Sequence, residues 1–350
     1  MLTSRERVLI TLDHKEADRI PICPPGGRVN ISDKVKGFLR DFDFDRFASL
    51  NFVKNIDERQ ELSHGIYVDD YGCIYKHRGV SEIPYCIYNP LGNAKRVEEI
   101  EKYRKWPDPD DPSLISKDAE KKAKKIREET DQATTVNVGS IFHRYSWMRG
   151  FNKWLLDMKF NPEIYEAIAS KICDIRLRLS LNLLKEVGEY ADLIQMNDDL
   201  GSTNGPFMSI QDFRKFVKPY YERLIKGIKK EYPKIRFWLH SHGAIMKLVP
   251  EFIDLGIDVL NPILPGDNMN PNVLKRKFGR NLCFDGGADV EYVIPFGTVK
   301  QVKEHVKEVV EILAPGGGYI FKVQMISNLV SYENLSAAYN TAMEYGRYDH

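Results

Sequence analysis

The chain has 350 residues, 43% hydrophobic and 29% charged, the make-up of a soluble globular protein and not of a disordered chain, a coiled coil or a collagen. Its 51 Lys and Arg balance 50 Asp and Glu to a net charge of +1, so no global basic field draws nucleic acid or anionic lipid. No apolar run reaches the ~18 residues of a membrane span.

The opening segment, MLTSRERVLITLDHKEADRIPI, has no small-residue cleavage site and does not read as a signal peptide. Thr3 and Glu6 stand in capping-box spacing ahead of Val8, Leu9, Ile10 and Leu12, which predicts a first helix. DRIPI is a short apolar strand candidate, followed by the turn-rich CPPGG at 23–27. Residues 30–110 are aromatic and rich in turns and read as an irregular N-terminal elaboration. KDAEKKAKKIREE at 117–129 reads as a helix with a solvated face.

From residue 130 the pattern becomes regular. ATTVNV at 133–138 is a strand, and Asn161-Pro162 starts a helix running toward Val187. DLIQM at 192–196 is the next strand. Ser209 and Asp212 cap a helix with Phe213, Phe216, Val217, Tyr220, Leu224 and Ile228 on one face. Strands IRFWL at 235–239, IDVLN at 257–261, LCFD at 282–285 and YIFKV at 319–323 follow. Helices separate them, one of them capped by Thr298 and Gln301. The triple glycine at 316–318 lacks a P-loop lysine and precedes a strand, so it reads as a helix-to-strand turn.

Strand alternating with helix signals a parallel sheet covered on both sides. Seven clear strands and room for an eighth predict a closed (β/α)8 TIM barrel of one domain over 1–350, with a doubly wound open sheet as the alternative. No GxGxxG follows any strand, which counts against a nucleotide-binding open sheet. Five cysteines, Cys23, Cys73, Cys86, Cys173 and Cys283, form no CxxC. They suit a reduced cytoplasm better than a disulfide framework or a four-cysteine zinc site.

A barrel carries its chemistry at the C-terminal ends of its strands. His240 and His242 follow IRFWL at i and i+2 and point the same way in extended chain. Two imidazoles so placed suit a zinc ion, with Asp198, Asp199 or Asp285 at neighbouring strand ends to complete its shell; the alternative is a histidine satisfied within the core. One of Asp198 and Asp199 is expected to cap a turn, leaving the other for a ligand or for chemistry. Trp147 and Arg149 read equally as pocket residues or as packing. His143, Gln324 and Met325 stand at the same edge.

These blocks resemble a known family. The opening TSRERVLITLDHKEADRIPI is similar to the start of the uroporphyrinogen decarboxylase superfamily, above all its cobalamin-dependent methyltransferase branch. DDYGCIY at 69–75, WMRGFNKWLLDM at 147–158, NDDLGSTNGPFMS at 197–209 and LHSHGAIMKLVPEFIDLGIDVLNPI at 239–263 extend the likeness along the whole chain. So do LKRKFGRNLCFDGGADV at 274–290 and PFGTVKQVKEHVKEVVEILAPGGGYIF at 295–321.

The resemblance implies a (β/α)8 barrel, a zinc ion, and a corrinoid carried on a separate partner protein. It also implies a small methyl donor or acceptor such as an ether or amine. Where that branch keeps His-x-Cys, this chain has His240 and His242; where a later cysteine belongs, it has Gln324 and Met325. The site read this way has His240, His242 and Asp285 as metal ligands and Asp198, Asp199 and His240 as catalytic groups. Trp147, Arg149, His143, Gln324 and Met325 bind substrate. Cofactor-free decarboxylation of a porphyrinogen is the rival activity, for which CPPGGRVN offers only Arg28. A binding-only family member is the third reading. A homodimer is the default assembly.

Overall fold

The structure, a computed structural model, describes residues 2–26, 31–78, 81–324 and 329–348. The first helix, Ser4–Leu12, begins at the expected capping box: the Thr3 hydroxyl accepts the Glu6 N–H and the Glu6 carboxylate accepts the Thr3 N–H. Its Val8 and Leu12 share one apolar cluster with Leu193, Trp238, Val259, Cys283 and Ile320.

In chain order the strands are β1 (Phe47–Ser49), β2 (Gln60–Ser63), β3 (Ile66–Val68), β4 (Ile74–Arg78), β5 (Ser81–Tyr88), β6 (Ala133–Asn137), β7 (Leu193–Asn197), β8 (Gly201–Ser202), β9 (Gly205–Pro206), β10 (Arg236–His240), β11 (Val259–Ile263), β12 (Cys283–Gly287) and β13 (Tyr319–Lys322). Seven of them form one parallel sheet in the order β1-β6-β7-β10-β11-β12-β13. The DRIPI segment stands between its two ends. Ile22 makes a parallel bridge to Phe321; on the other side the Asp45 N–H donates to the Ile22 carbonyl, just ahead of β1. The ring thus returns to its start, and helices Pro162–Val187, Lys218–Glu231, Pro271–Phe278 and Val299–Leu313 lie along its strands. This is the expected (β/α)8 architecture.

Two sequence readings need correction. Residues 30–110 are not irregular: they hold the barrel strand β1 and a four-stranded antiparallel sheet, β2-β3-β4-β5. Both escaped the pattern because β1 is three residues long and β2 is exposed throughout, so neither shows apolar alternation. The helix capped by Ser209 contains a π-turn at Phe213–Val217 before Lys218–Glu231. The wider turn takes an extra residue, and Tyr221, not Tyr220, becomes the fully buried tyrosine.

The triple glycine is a turn at the foot of the barrel. All three residues take positive φ, which only glycine adopts freely, and a Cβ on Gly317 would meet the Lys15 carbonyl at 2.4 Å. Among the described residues no helix is long and apolar enough to cross a membrane.

Candidate active site

The strand period places the site. Leu193, Val259, Cys283 and Ile320 lie in the apolar layer over the first helix. Two residues further along each strand, on the same side, stand Gln195, Asn261, Asp285 and Lys322. The barrel interior therefore changes from hydrocarbon to polar within one step. A cavity of about 160 Å³ is lined by Gln195, Asn197, Trp238, His240, Asn261, Lys322 and Gln324. A larger one of about 530 Å³ includes Asn51, Asn137, Gln195, Asn197, His143 and Trp147 in its wall, so Gln195 and Asn197 belong to both.

Side-chain carboxamides organise this mouth. On one wall Asn51 Nδ2 donates to the Asn137 carbonyl at 2.9 Å and Asn197 Nδ2 to Asn137 Oδ1 at 3.0 Å. On the other, Asn261 Nδ2 donates to Gln324 Oε1 at 3.1 Å. That leaves Asn261 Oδ1 to accept the Nδ1–H of His240 at 2.6 Å, so Nε2 is the lone-pair nitrogen. Burial lowers the His240 pKa, against the pull of its Asn261 bond; the ring is held neutral and in one tautomer.

Asp285 is the exceptional group. It is fully buried, and neither carboxyl oxygen has a hydrogen-bond partner among the described residues. Burial pushes its pKa up to about 6, opposed by the Lys322 ammonium and by the neighbouring Asn261 side chain. A carboxyl so placed is a proton carrier near neutral pH.

The other predicted residues divide sharply. Asp198 is buried, and its carboxylate accepts the N–H groups of Ile141, Phe142 and His143 at 2.7–3.0 Å and the Tyr221 hydroxyl at 3.0 Å. It anchors the start of helix Phe142–Arg149 and has no lone pair left for substrate; of the aspartate pair it is the capping member. Burial raises its pKa and these donors resist the rise.

Arg149 is corrected from pocket to packing: buried, it pairs with Asp157 at 2.7 Å and donates to the carbonyls of Leu91, Gly92 and Ala94. Asp199 ties the mouth together, its Oδ1 accepting the His242 N–H at 2.8 Å and its own N–H donating to His143 Nε2 at 3.3 Å. His143 stacks on Trp147, ring centroids 5.7 Å apart, and both line the larger cavity. Met325 lies outside the described residues, as does Arg28.

The metal trio is not assembled. The His240 and His242 rings stand together, centroids 5.0 Å apart, but His242 Nδ1 faces Asp267 at 3.8 Å. Among the described residues no three His, Cys, Asp or Glu side chains converge to hold an ion. Asp285 is thus not brought into a metal site with the two histidines. These residues do not fit the zinc site that the resemblance implies.

Sequence reasoning passed over Asn261, Gln195, Lys322 and Tyr221. The signal for the first three was present, as polar residues at the inward positions of otherwise apolar strands. Tyr221 was hidden by the π-turn.

Comparison with known proteins agrees with the fold. The family model for uroporphyrinogen decarboxylase (URO-D) matches residues 79–345. The uroporphyrinogen decarboxylase of Staphylococcus haemolyticus is 31% identical over 146 residues, 40% of this chain and 38% of that protein. That of Chlorobaculum tepidum is 24% identical over 159 residues, 45% of this chain and 42% of that one. The matched stretch thus spans less than half the length of these relatives. Among solved structures, a methyltransferase from Methanosarcina mazei superposes with a TM-score of 0.68 at 16% identity, over 99% of both chains, a likeness of fold.

Proposed function

Since the chain belongs to the uroporphyrinogen decarboxylase family, we infer that it is a methyl-transferring member, moving a methyl group between a small donor and a corrinoid held by a partner protein. The observation that carries this reading is the character of the barrel mouth among the described residues: carboxamides and the neutral His240 imidazole line it, and the buried Asp285 carboxyl stands in the same polar layer. A porphyrinogen decarboxylase must hold a substrate with many carboxylates, which calls for free guanidinium groups. Among the described residues the guanidinium in the wall of the larger cavity is that of Arg176, paired with Asp57; the buried Arg144 behind it shares Asp57 and also pairs with Asp69. The full-length likeness to a methyltransferase supports the same choice.

The chemistry needs a group to receive charge on the side that the methyl leaves. As the bond from the methyl carbon to its heteroatom breaks, the electron pair stays with the heteroatom. Asp285, protonated below about pH 6, supplies the proton that neutralises it. Its proton affinity also lets it recharge near neutral pH. His240, locked through Asn261, presents Nε2 to orient the donor, and the cavity bounded by His143 and Trp147 seats the rest of it. No step runs through zinc, for which the described residues of this mouth offer no converging ligand set.

To test this, the protein is mixed with a reduced corrinoid protein and candidate methyl ethers or methylamines, and the cobalt absorbance is followed. Methylation by the wild type, slowed about a hundredfold in Asp285→Asn and His240→Ala, is the expected result. Methylation at the wild-type rate in both variants contradicts the assignment.

A further inference from the structure

Beside the pocket wall two thiols converge on one turn of helix. Cys73 stands just ahead of β4, and Cys86 lies in its antiparallel partner β5, in register with Tyr75. Cys73 and Tyr75, two residues apart in extended chain, point to one side, so the cysteines are diagonal neighbours on the same face. Their sulfurs rest on successive residues of helix Phe142–Arg149. Cys73 Sγ lies 3.6 Å from Met148 Sδ, and Cys86 Sγ lies 3.6 Å from the Trp147 carbonyl. Both are free thiols.

The two are unequal in ways that suit a relay. Cys73 is wholly buried and Cys86 half-buried. Asn89 Nδ2 lies 3.3 Å from Cys86 Sγ and so offers a donor to a thiolate there. Each thiol is the largest influence on the other's proton: Cys73 lowers the pKa of Cys86, while Cys86 and burial raise that of Cys73. The outer sulfur is the more readily ionised, and the inner one keeps its proton.

We propose that Cys73 and Cys86 are a redox pair, closing a reversible disulfide when Cys86 meets a hydroperoxide. The Cys86 thiolate attacks the terminal peroxide oxygen, the O–O bond breaks, and Cys86 becomes a sulfenic acid; the departing hydroxide or alkoxide takes up the proton that the Cys86 thiol gave to solvent and leaves as water or alcohol. The Cys73 sulfur then attacks the Cys86 sulfur, the S–O bond breaks, and water leaves with the Cys73 proton. Two thiols are oxidised and one peroxide is reduced. The bond would form against the pocket wall, since Cys86 and Asn89 both contact the Trp147 carbonyl, Asn89 at 2.7 Å.

The test treats the full chain with hydrogen peroxide in the presence of dimedone, which traps sulfenic acids, and maps all five cysteines by mass spectrometry. In the wild type a Cys73–Cys86 linked peptide should form, return to two thiols with dithiothreitol, and leave almost no dimedone adduct. In Cys73→Ser, and in Cys73→Ala should the serine variant not fold, the adduct on Cys86 should rise at least tenfold over the wild type. The proposal is overturned by an equal Cys86 adduct in wild type and variant. It is overturned as well by linkage to Cys23, Cys173 or Cys283, or by Cys86 remaining reduced while those thiols oxidise.

Discussion

Asp285 makes the sharpest demand on stability. Its pKa rises from 3.8 to about 6 on burial, so the folded state binds this proton more tightly than the unfolded chain does. The contribution to stability is therefore greatest below the unfolded value. It is lost as pH rises through about 6, the reverse of an ion-paired aspartate. Two units at 1.36 kcal/mol each amount to a penalty of about 3 kcal/mol at pH 8.

Asp285→Asn keeps the shape and cannot ionise. Urea unfolding should show it more stable than the wild type by up to about 3 kcal/mol at pH 8, with the gain shrinking toward zero near pH 4. Methyl transfer should meanwhile fall about a hundredfold. An offset of equal size at both pH values would refute the buried carboxyl of raised pKa on which the proton-donor role rests.

Two further substitutions separate scaffold from chemistry. Asp198→Ala strips three N–H groups and the Tyr221 hydroxyl of their acceptor. It should cost about 3 kcal/mol of stability, read as a lower urea midpoint with an unchanged slope. Asn261→Ala frees the His240 ring and should lower kcat about a hundredfold with a smaller change in KM. Nitrogen-15 chemical shifts should then show the fixed Nδ1–H tautomer replaced by a mixture.

The barrel was legible where its strands are buried on both faces. ATTVN, LIQMN and RFWLH announce themselves as apolar runs between capped helices, and the capping boxes at Thr3 and Thr298 form as their spacing predicts. β1 was not legible, because a strand of three residues, none of them buried, carries no period and owes its place to pairing with β6. The site was half legible. Strand ends drew attention to His240, Asp199, Asp285 and Gln324, which the fold brings to the same end of the barrel. The sequence could not distinguish an aspartate spent on a helix start from one buried with no N–H group donating to it. Asp198 and Asp285 look alike in the chain and differ only in which N–H groups the fold brings to them. Arg149 misled for the same reason, since its partner carbonyls at Leu91, Gly92 and Ala94 come from distant chain.

The central claim is methyl transfer, and a tracer tests it most directly. The protein is given a methyl donor labelled with deuterium in its methyl group, together with reduced corrinoid protein, and the corrinoid is analysed by mass spectrometry. A parallel sample receives a porphyrinogen and is assayed for carbon dioxide. Label is expected on the corrinoid, with no carbon dioxide above the protein-free rate. Carbon dioxide release from the porphyrinogen, with no label reaching the corrinoid, would contradict it.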